Sequence, residues 1–195
     1  MSADSPTQPL IRRAMTSDLP RLGRLGALLV EAHHELDSQR FLAPNDRTPA
    51  NYASFLKAKL EDRDAAILVA EAHGDVIGYA YSAVEGYDYM SLRGPAGVLH
   101  DLIVEPQHRG RGVGRLLLNA VLTYLTTRGA PRVVLSTAEG NQAAQRLFVS
   151  MGFRRTIGGD DARAWYPKHI EGDEQSLSAT AVFQNDRSVT NVYRQ

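Results

Sequence analysis

Cysteine is missing from this chain of 195 residues. Its absence excludes a disulfide framework, a thiolate nucleophile and any metal site built on sulfur. Net charge is missing too: 22 Lys and Arg balance 22 Asp and Glu, so there is no electrostatic bias toward nucleic acid or a membrane surface. No run of roughly 18 apolar residues occurs. The opening MSADSPTQPL has no basic stretch followed by an apolar one, as a secretory signal would. The expected protein is cytoplasmic. Apolar residues make up 43% of the sequence, an ordinary globular share, and the length suits one domain with a single core. Residues 1–8, polar and proline-containing, are expected to be a disordered leader. The domain proper is expected over 9–166, and 167–195 is a tail with few large apolar residues, holding at most a weak strand pair near Thr180 to Phe183 and Val189 to Tyr193.

Periodicity gives the elements between those limits. Pro9 to Ala14 is a short strand candidate. Leu22, Leu25, Leu29, Ala32 and Leu36 recur at three- and four-residue steps after a Ser17 or Asp18 cap, which predicts an amphipathic helix. Thr48-Pro49 opens a second helix to about Asp62. Ala65 to Ala72 and Val76 to Val84 are strands joined at His73-Gly74-Asp75, and Val98 to Val104 is a third, closed by Pro106. Apolar positions from Val113 onward predict a helix that stops before Gly129, followed by a buried strand at Arg132 to Thr137 and a helix at about Asn141 to Met151. Phe153 to Ile157 and Ala162 to Tyr166 form a last hairpin. The strand, helix, strand, helix order predicts a parallel pairing in an otherwise antiparallel sheet.

Between the strand ending at Val104 and the helix starting at Val113 lies PQHRGRGVGR. Gly110, Gly112 and Gly114 let the backbone approach a ligand closely, and the first N–H groups of the helix point out of its end. The helix dipole and the charges of Arg109, Arg111 and Arg115 suit a pyrophosphate. A Walker loop needs Lys then Ser or Thr after its last glycine, whereas Arg115-Leu116 stands here. The Rossmann spacing G-x-G-x-x-G is not met either. A tight turn that needs glycine for geometry alone is the competing account.

The stretch Val98 to Phe153 resembles the GNAT superfamily of N-acetyltransferases. That family's acetyl-CoA signature is Arg or Gln, two residues, Gly, one residue, then Gly or Ala, met here by Arg109, Gly112 and Gly114. The resemblance covers roughly four fifths of the chain. It implies a single α/β domain with a mixed sheet of about six to seven strands, about four flanking helices, and two parallel strands splayed at the cofactor site. It implies acetyl-CoA as co-substrate without a metal, bound by Leu102, Ile103 and Val104 of the strand, by Arg109, Gly110, Arg111, Gly112, Val113, Gly114 and Arg115 of the turn, and by Asn141, Ala144 and Phe148 of the later helix. The acceptor implied is a primary amine on a small molecule or peptide, attacking directly in a ternary complex. Many relatives pair as homodimers through late strands.

Acetyl transfer to an amine needs the amine deprotonated, because an alkyl ammonium with a pKa near 10 has no lone pair. His100 stands where several family members carry the Glu or His proposed as base, and an imidazole of ordinary pKa about 6.5 suits that role. A strand histidine merely packed and hydrogen-bonded is the alternative. Strict alternation puts Asp101 on the other face of the strand from His100. His33, His34 and Glu35, and the loop residues Tyr87, Asp88 and Tyr89, are further acceptor-site candidates, each set against a solvated helix end or loop. Phe148 departs from the family pattern: a tyrosine commonly stands there and is thought to protonate the leaving thiolate. The general acid is therefore unassigned among Ser150, another tyrosine and water, and a non-catalytic acyl-CoA-binding module is the second functional reading.

Overall fold

A computed structural model describes residues 8–90, 92–158, 162–167 and 180–181. The expected leader, except its last residue, and most of the expected tail, Val189 to Tyr193 included, lie outside them. Strand β1 (Leu10–Arg13) leads through a 3₁₀ turn (Thr16–Asp18) into helix α1 (Leu19–Leu36), followed by α2 (Thr48–Leu60). Strands β2 (Ala65–Ala72), β3 (Asp75–Glu85) and β4 (Ala96–Val104) come next. Then follow α3 (Val113–Thr127), β5 (Val133–Leu135), α4 (Gln142–Ser150), β6 (Phe153–Gly158), β7 (Ala162–Pro167) and β8 (Thr180–Ala181).

The sheet is mixed and flanked by four helices. β1 to β4 are antiparallel neighbours, and β5 lies parallel to β4. Beyond β5 the order runs β8, β6, β7. The β2–β3 turn uses positive φ at His73 and Gly74, 52° and 83°, the pair that a tight two-residue hairpin requires. Period-two alternation sorts the strands' side chains to two faces. Ile67 and Val69 of β2, Tyr79 and Tyr81 of β3, and Ile103 of β4 pack on Leu22 and Leu25 of α1 and Leu56 of α2. Leu68, Ala70, Ala80, Leu99, Val133 and Leu135 pack on Leu117, Leu118, Val121 and Leu125 of α3 and Phe148 of α4.

Asp18 does not cap α1 with its side chain. Its carboxylate accepts from the Met15 N–H at 2.7 Å, closing the 3₁₀ turn, and pairs with Arg12, whose guanidinium holds the Asp18 carboxyl below its ordinary pKa. The two helices on that face approach through glycine. A Cβ on Gly23 would lie 2.3 Å from the Pro49 carbonyl oxygen, and one on Gly26 would lie 2.1 Å from the Tyr52 ring. We predict that Gly26→Val, which adds three carbons into this contact, destabilises the fold by about 2 kcal/mol. Chemical denaturation checks this, and an unchanged midpoint would show that Tyr52 yields freely.

Candidate active site

β4 carries an extra residue. Tyr81 pairs with Asp101 and Ser82 with Leu99, so His100 has no partner across β3. Such a bulge breaks the alternation of faces, and the expectation that Asp101 and His100 point apart fails for that reason. His100 stacks on Tyr81, with centroids 4.8 Å apart and planes at 18°. Asp101 accepts hydrogen bonds from the hydroxyls of Tyr52, at 2.7 Å, and Tyr79, at 3.0 Å. Tyr79 and Tyr81 share the α1/α2 face, so His100 and Asp101 share it too. The sequence holds no signal for the bulge: neither glycine nor proline stands at His100 or beside it, and Gly97 lies three residues earlier, in the part of β4 that pairs with β5.

The aromatic floor continues. Tyr81 meets the edge of Phe55 at 5.9 Å, and Phe55 meets Tyr52 at 5.7 Å. Burial pushes the Tyr81 hydroxyl up to about 12 and raises those of Tyr52 and Tyr79 further, so all three remain protonated donors at neutral pH. Burial also raises the Asp101 carboxyl, against the lowering effect of its two tyrosine donors and of His100 and His33. His100 is itself held by β3: its Nε2 lies 2.8 Å from Glu85 Oε1, while Arg93 pairs with Oε2 of the same carboxylate. Those contacts keep the Glu85 carboxyl below its ordinary pKa, with the His100 hydrogen bond the largest cause.

The parallel pairing of β4 with β5 ends at Leu99 opposite Leu135, immediately before the bulge. From Asp101 to Val104 only the β3 side is paired. The Glu105 N–H bonds to Ile77 across β3 at 2.9 Å. Alternation then turns the main-chain groups of Ile103 toward β3 and those of Leu102 and Val104 into the gap. Of the three strand residues expected at a ligand, Leu102 and Val104 thus present backbone there and Ile103 does not. The Val104 carbonyl already accepts from Arg109 Nε at 2.8 Å.

At the end of that gap stands the glycine turn. Gly110 and Gly112 have φ of +73° and +83°. A Cβ at either would meet open space but force a left-handed backbone. Gly112 is the N-cap of α3 without a side-chain cap, and the first helical bond is Leu116 N–H to Gly112 carbonyl at 3.1 Å. The N–H groups of Val113, Gly114 and Arg115 therefore belong to the unsatisfied first turn, a ready anion site. Arg111 is exposed beside them. Gly114 serves packing instead, since a Cβ there would be 3.3 Å from Leu147, and its absence lets α4 approach α3.

Three other residues expected at the ligand are committed to packing or capping. Arg115 turns its guanidinium to α4, at 2.8 Å from Ser150 Oγ and 3.1 Å from the Met151 sulfur. Asn141 caps α4 by accepting the Ala144 N–H at 3.1 Å, which leaves its side-chain amide as donor. Phe148 is 3% exposed and lies against Phe153, part of the α3/α4 core. The Ser150 hydroxyl donates to Leu147 at 2.7 Å, so its proton is engaged. His33 and His34 hold carbonyls of Leu29 and Phe41. Glu35, Tyr87 and Tyr89 are exposed, and Asp88 bridges to Arg93.

The buried carboxylate has a consequence for stability. A folded-state pKa raised above the unfolded value of about 3.9 favours folding of the protonated form, so Asp101's contribution is greatest below that value and is lost as pH rises through the folded pKa. Asp101→Asn keeps an acceptor for both tyrosines and removes the charge. Its urea midpoint is expected to exceed the wild type's at pH 7 to 8, with the difference shrinking as pH falls toward 4. A constant difference across that range would show that the carboxylate is comfortably ionised in the fold.

Comparison with known proteins agrees with this geometry. The model of the acetyltransferase (GNAT) family matches residues 30–153. A mycothiol acetyltransferase of Thermobispora bispora is 34% identical over 161 residues, 74% of this chain and 52% of the relative, so the chain spans about half that protein's length. Among solved structures, an aminoglycoside N-acetyltransferase in complex with CoA superposes with a TM-score of 0.63 at 24% identity, covering 80% of this chain and 95% of that one. A ribosomal-protein-alanine N-acetyltransferase from Brucella melitensis superposes with a TM-score of 0.59 at 27% identity, covering 76% and 86%. With 124 consecutive residues from α1 to β6 under the family model, the bulged β4, the open β4–β5 gap and the glycine turn included, the chain belongs to the GNAT acetyltransferase family.

Proposed function

We propose that this chain is an N-acetyltransferase that moves an acetyl group from acetyl-CoA to a primary amine while both are bound. The observation that carries the reading is the gap itself. β4 parts from β5 at Leu99, presents the backbone of Leu102 and Val104, and leads into a glycine turn whose free N–H groups end in the positive pole of α3. An extended arm with amide groups fits the strand edge, and a pyrophosphate fits the turn, with Arg109 and Arg111 as counter-charges. The family's structural relative with CoA bound supports the same assignment.

Acetyl-CoA supplies an activated thioester; the chain's own residues handle the proton. His100 sits at the bulge, where the gap begins, on the face lined by Tyr81, Phe55 and Asp101. It takes a proton from the bound ammonium, directly or through one water, freeing the nitrogen lone pair. The amine nitrogen then bonds the acetyl carbon as the carbon–sulfur bond breaks, and the acylated nitrogen sheds its remaining extra proton to solvent, leaving the amide. Phe148 offers no proton and the Ser150 proton is engaged. A thiol of ordinary pKa about 8.5 leaves as the anion and is protonated by solvent. The aromatic floor of Tyr81, Phe55 and Tyr52 suits a cationic amine on a small molecule or peptide.

Two substitutions test this. Gly112→Val forces a branched side chain into a left-handed backbone at the turn, and acetyl-CoA binding by calorimetry is expected to weaken at least a hundredfold, of the order that loss of several backbone hydrogen bonds implies. Unchanged affinity would remove the cofactor assignment. His100→Ala is expected to lower kcat about a hundredfold near neutral pH and to flatten the acid limb of the pH–rate profile. Free-thiol release over a panel of polyamines, aminoglycosides, amino acids and peptide N-termini is the assay, and acetyl-CoA binding without release for any of them would favour a non-catalytic module.

A further inference from the structure

A strand histidine that is one-third exposed has no structural need of an anchor, yet His100 is clamped from two directions. Its plane is fixed by stacking on Tyr81, and its rotation within that plane is fixed by Glu85, whose Oε1 stands 2.8 Å from Nε2. Glu85 is itself fixed: Arg93, 8% exposed, holds the second oxygen, and Arg93 is pinned by mutual backbone hydrogen bonds with Asp88 at 2.7 and 2.8 Å. A carboxylate can only accept at neutral pH, so Nε2 carries the proton. The remaining ring nitrogen, Nδ1, has no partner among the described residues. Resting on the reading of His100 as base, we propose that Glu85 is its positioning residue: it fixes the tautomer whose lone pair is on Nδ1, and its charge stabilises the imidazolium formed when Nδ1 takes the amine's proton.

The acceptor's ammonium loses its first proton to Nδ1 before attack; its second leaves the acylated nitrogen as the carbon–sulfur bond breaks and passes through solvent to the thiolate; Nε2 keeps its own throughout, and Glu85 stays ionised. The depressed carboxyl of Glu85 favours that, since it remains an anion over the range in which imidazole titrates. Among the described residues, the groups facing His100 are few. From β3 come Tyr81 and Glu85, from β4 Asp101, and from the loop Arg93 and Asp88. From α1 and α2, His33 and Tyr52 act on Asp101, and Asp62 acts on Tyr81. Glu85 is the charge in direct contact with the ring.

Nitrogen-15 NMR of ring-labelled protein without any acceptor reads the tautomer. The wild type is expected to show neutral His100 protonated at Nε2. Glu85→Gln, which keeps an acceptor and loses the charge, is expected to lower the midpoint of that resonance by about one pH unit. In thiol-release kinetics the same variant should lose about tenfold in kcat, keep its KM for acetyl-CoA, and show an acid limb moved to lower pH. An Nδ1–H tautomer in the wild type, or a titration midpoint unmoved in Glu85→Gln, overturns the proposal even if His100→Ala proves the base reading right. A wild-type pH profile in His100→Ala overturns both.

Discussion

An antiparallel ladder can hold one residue too many only by kinking the strand that carries it and turning the following side chains over. β4 does this at His100, and the consequences spread in both directions along the chain. Toward the N-terminus, Gly97 to Leu99 pair with β5. Gly97 lets Leu125 of α3 seat directly on the sheet, a Cβ there meeting its side chain at 2.8 Å. Toward the C-terminus the strand leaves β5 and keeps only β3. The bulge therefore marks the point where the sheet opens, and it puts His100 and Asp101 side by side at that point.

The second constraint is the closeness of α1 and α2. Gly23 and Gly26 remove the side chains that would hold the helices apart, and Tyr52 fills the space with its ring against α1 and its hydroxyl on Asp101. Burying a carboxylate is costly unless donors compensate. Here two tyrosine hydroxyls, from α2 and β3, supply part of that compensation, so a carboxyl from β4 becomes the point where three elements meet. The same face carries Phe55, Tyr81 and His100, an aromatic surface beside a polar one.

Most elements were legible because their signals are local. The leucine spacing of α1, the apolar stripe of α3, Gly74 at the β2–β3 turn and the arginine–glycine run all act within one turn of helix or one hairpin, and each element lies within a few residues of its expected limits. The resemblance placed the gap correctly, and the comparisons show the family it named. What the sequence concealed was nonlocal. The bulge arises from register between β3 and β4, and no residue type advertises it. Glu85 and Arg93 escaped notice because their partners are 15 and 8 residues away from Glu85, across strand and loop. Arg115 reads as a phosphate ligand by position, yet Ser150 and Met151 claim it, because α4 packs closely enough over Gly114 to be reached. Phe148 reads as a lost hydroxyl and is also a core residue.

The open edge of β4 is an interior one, flanked by sheet on both sides rather than lying at its rim. An edge at the rim invites other chains to pair with it; this one lies between β3 and β5 within the sheet order. A strand-like ligand there would extend the hydrogen bonding between β4 and β5, whose own ladder has three pairs, across halves that already share the core on α3 and α4. Binding to the folded form alone raises its stability in proportion to the logarithm of ligand concentration. A ligand seated in the gap would thus bridge the two sides of the sheet, and the folded state would tighten as that ligand's concentration rises.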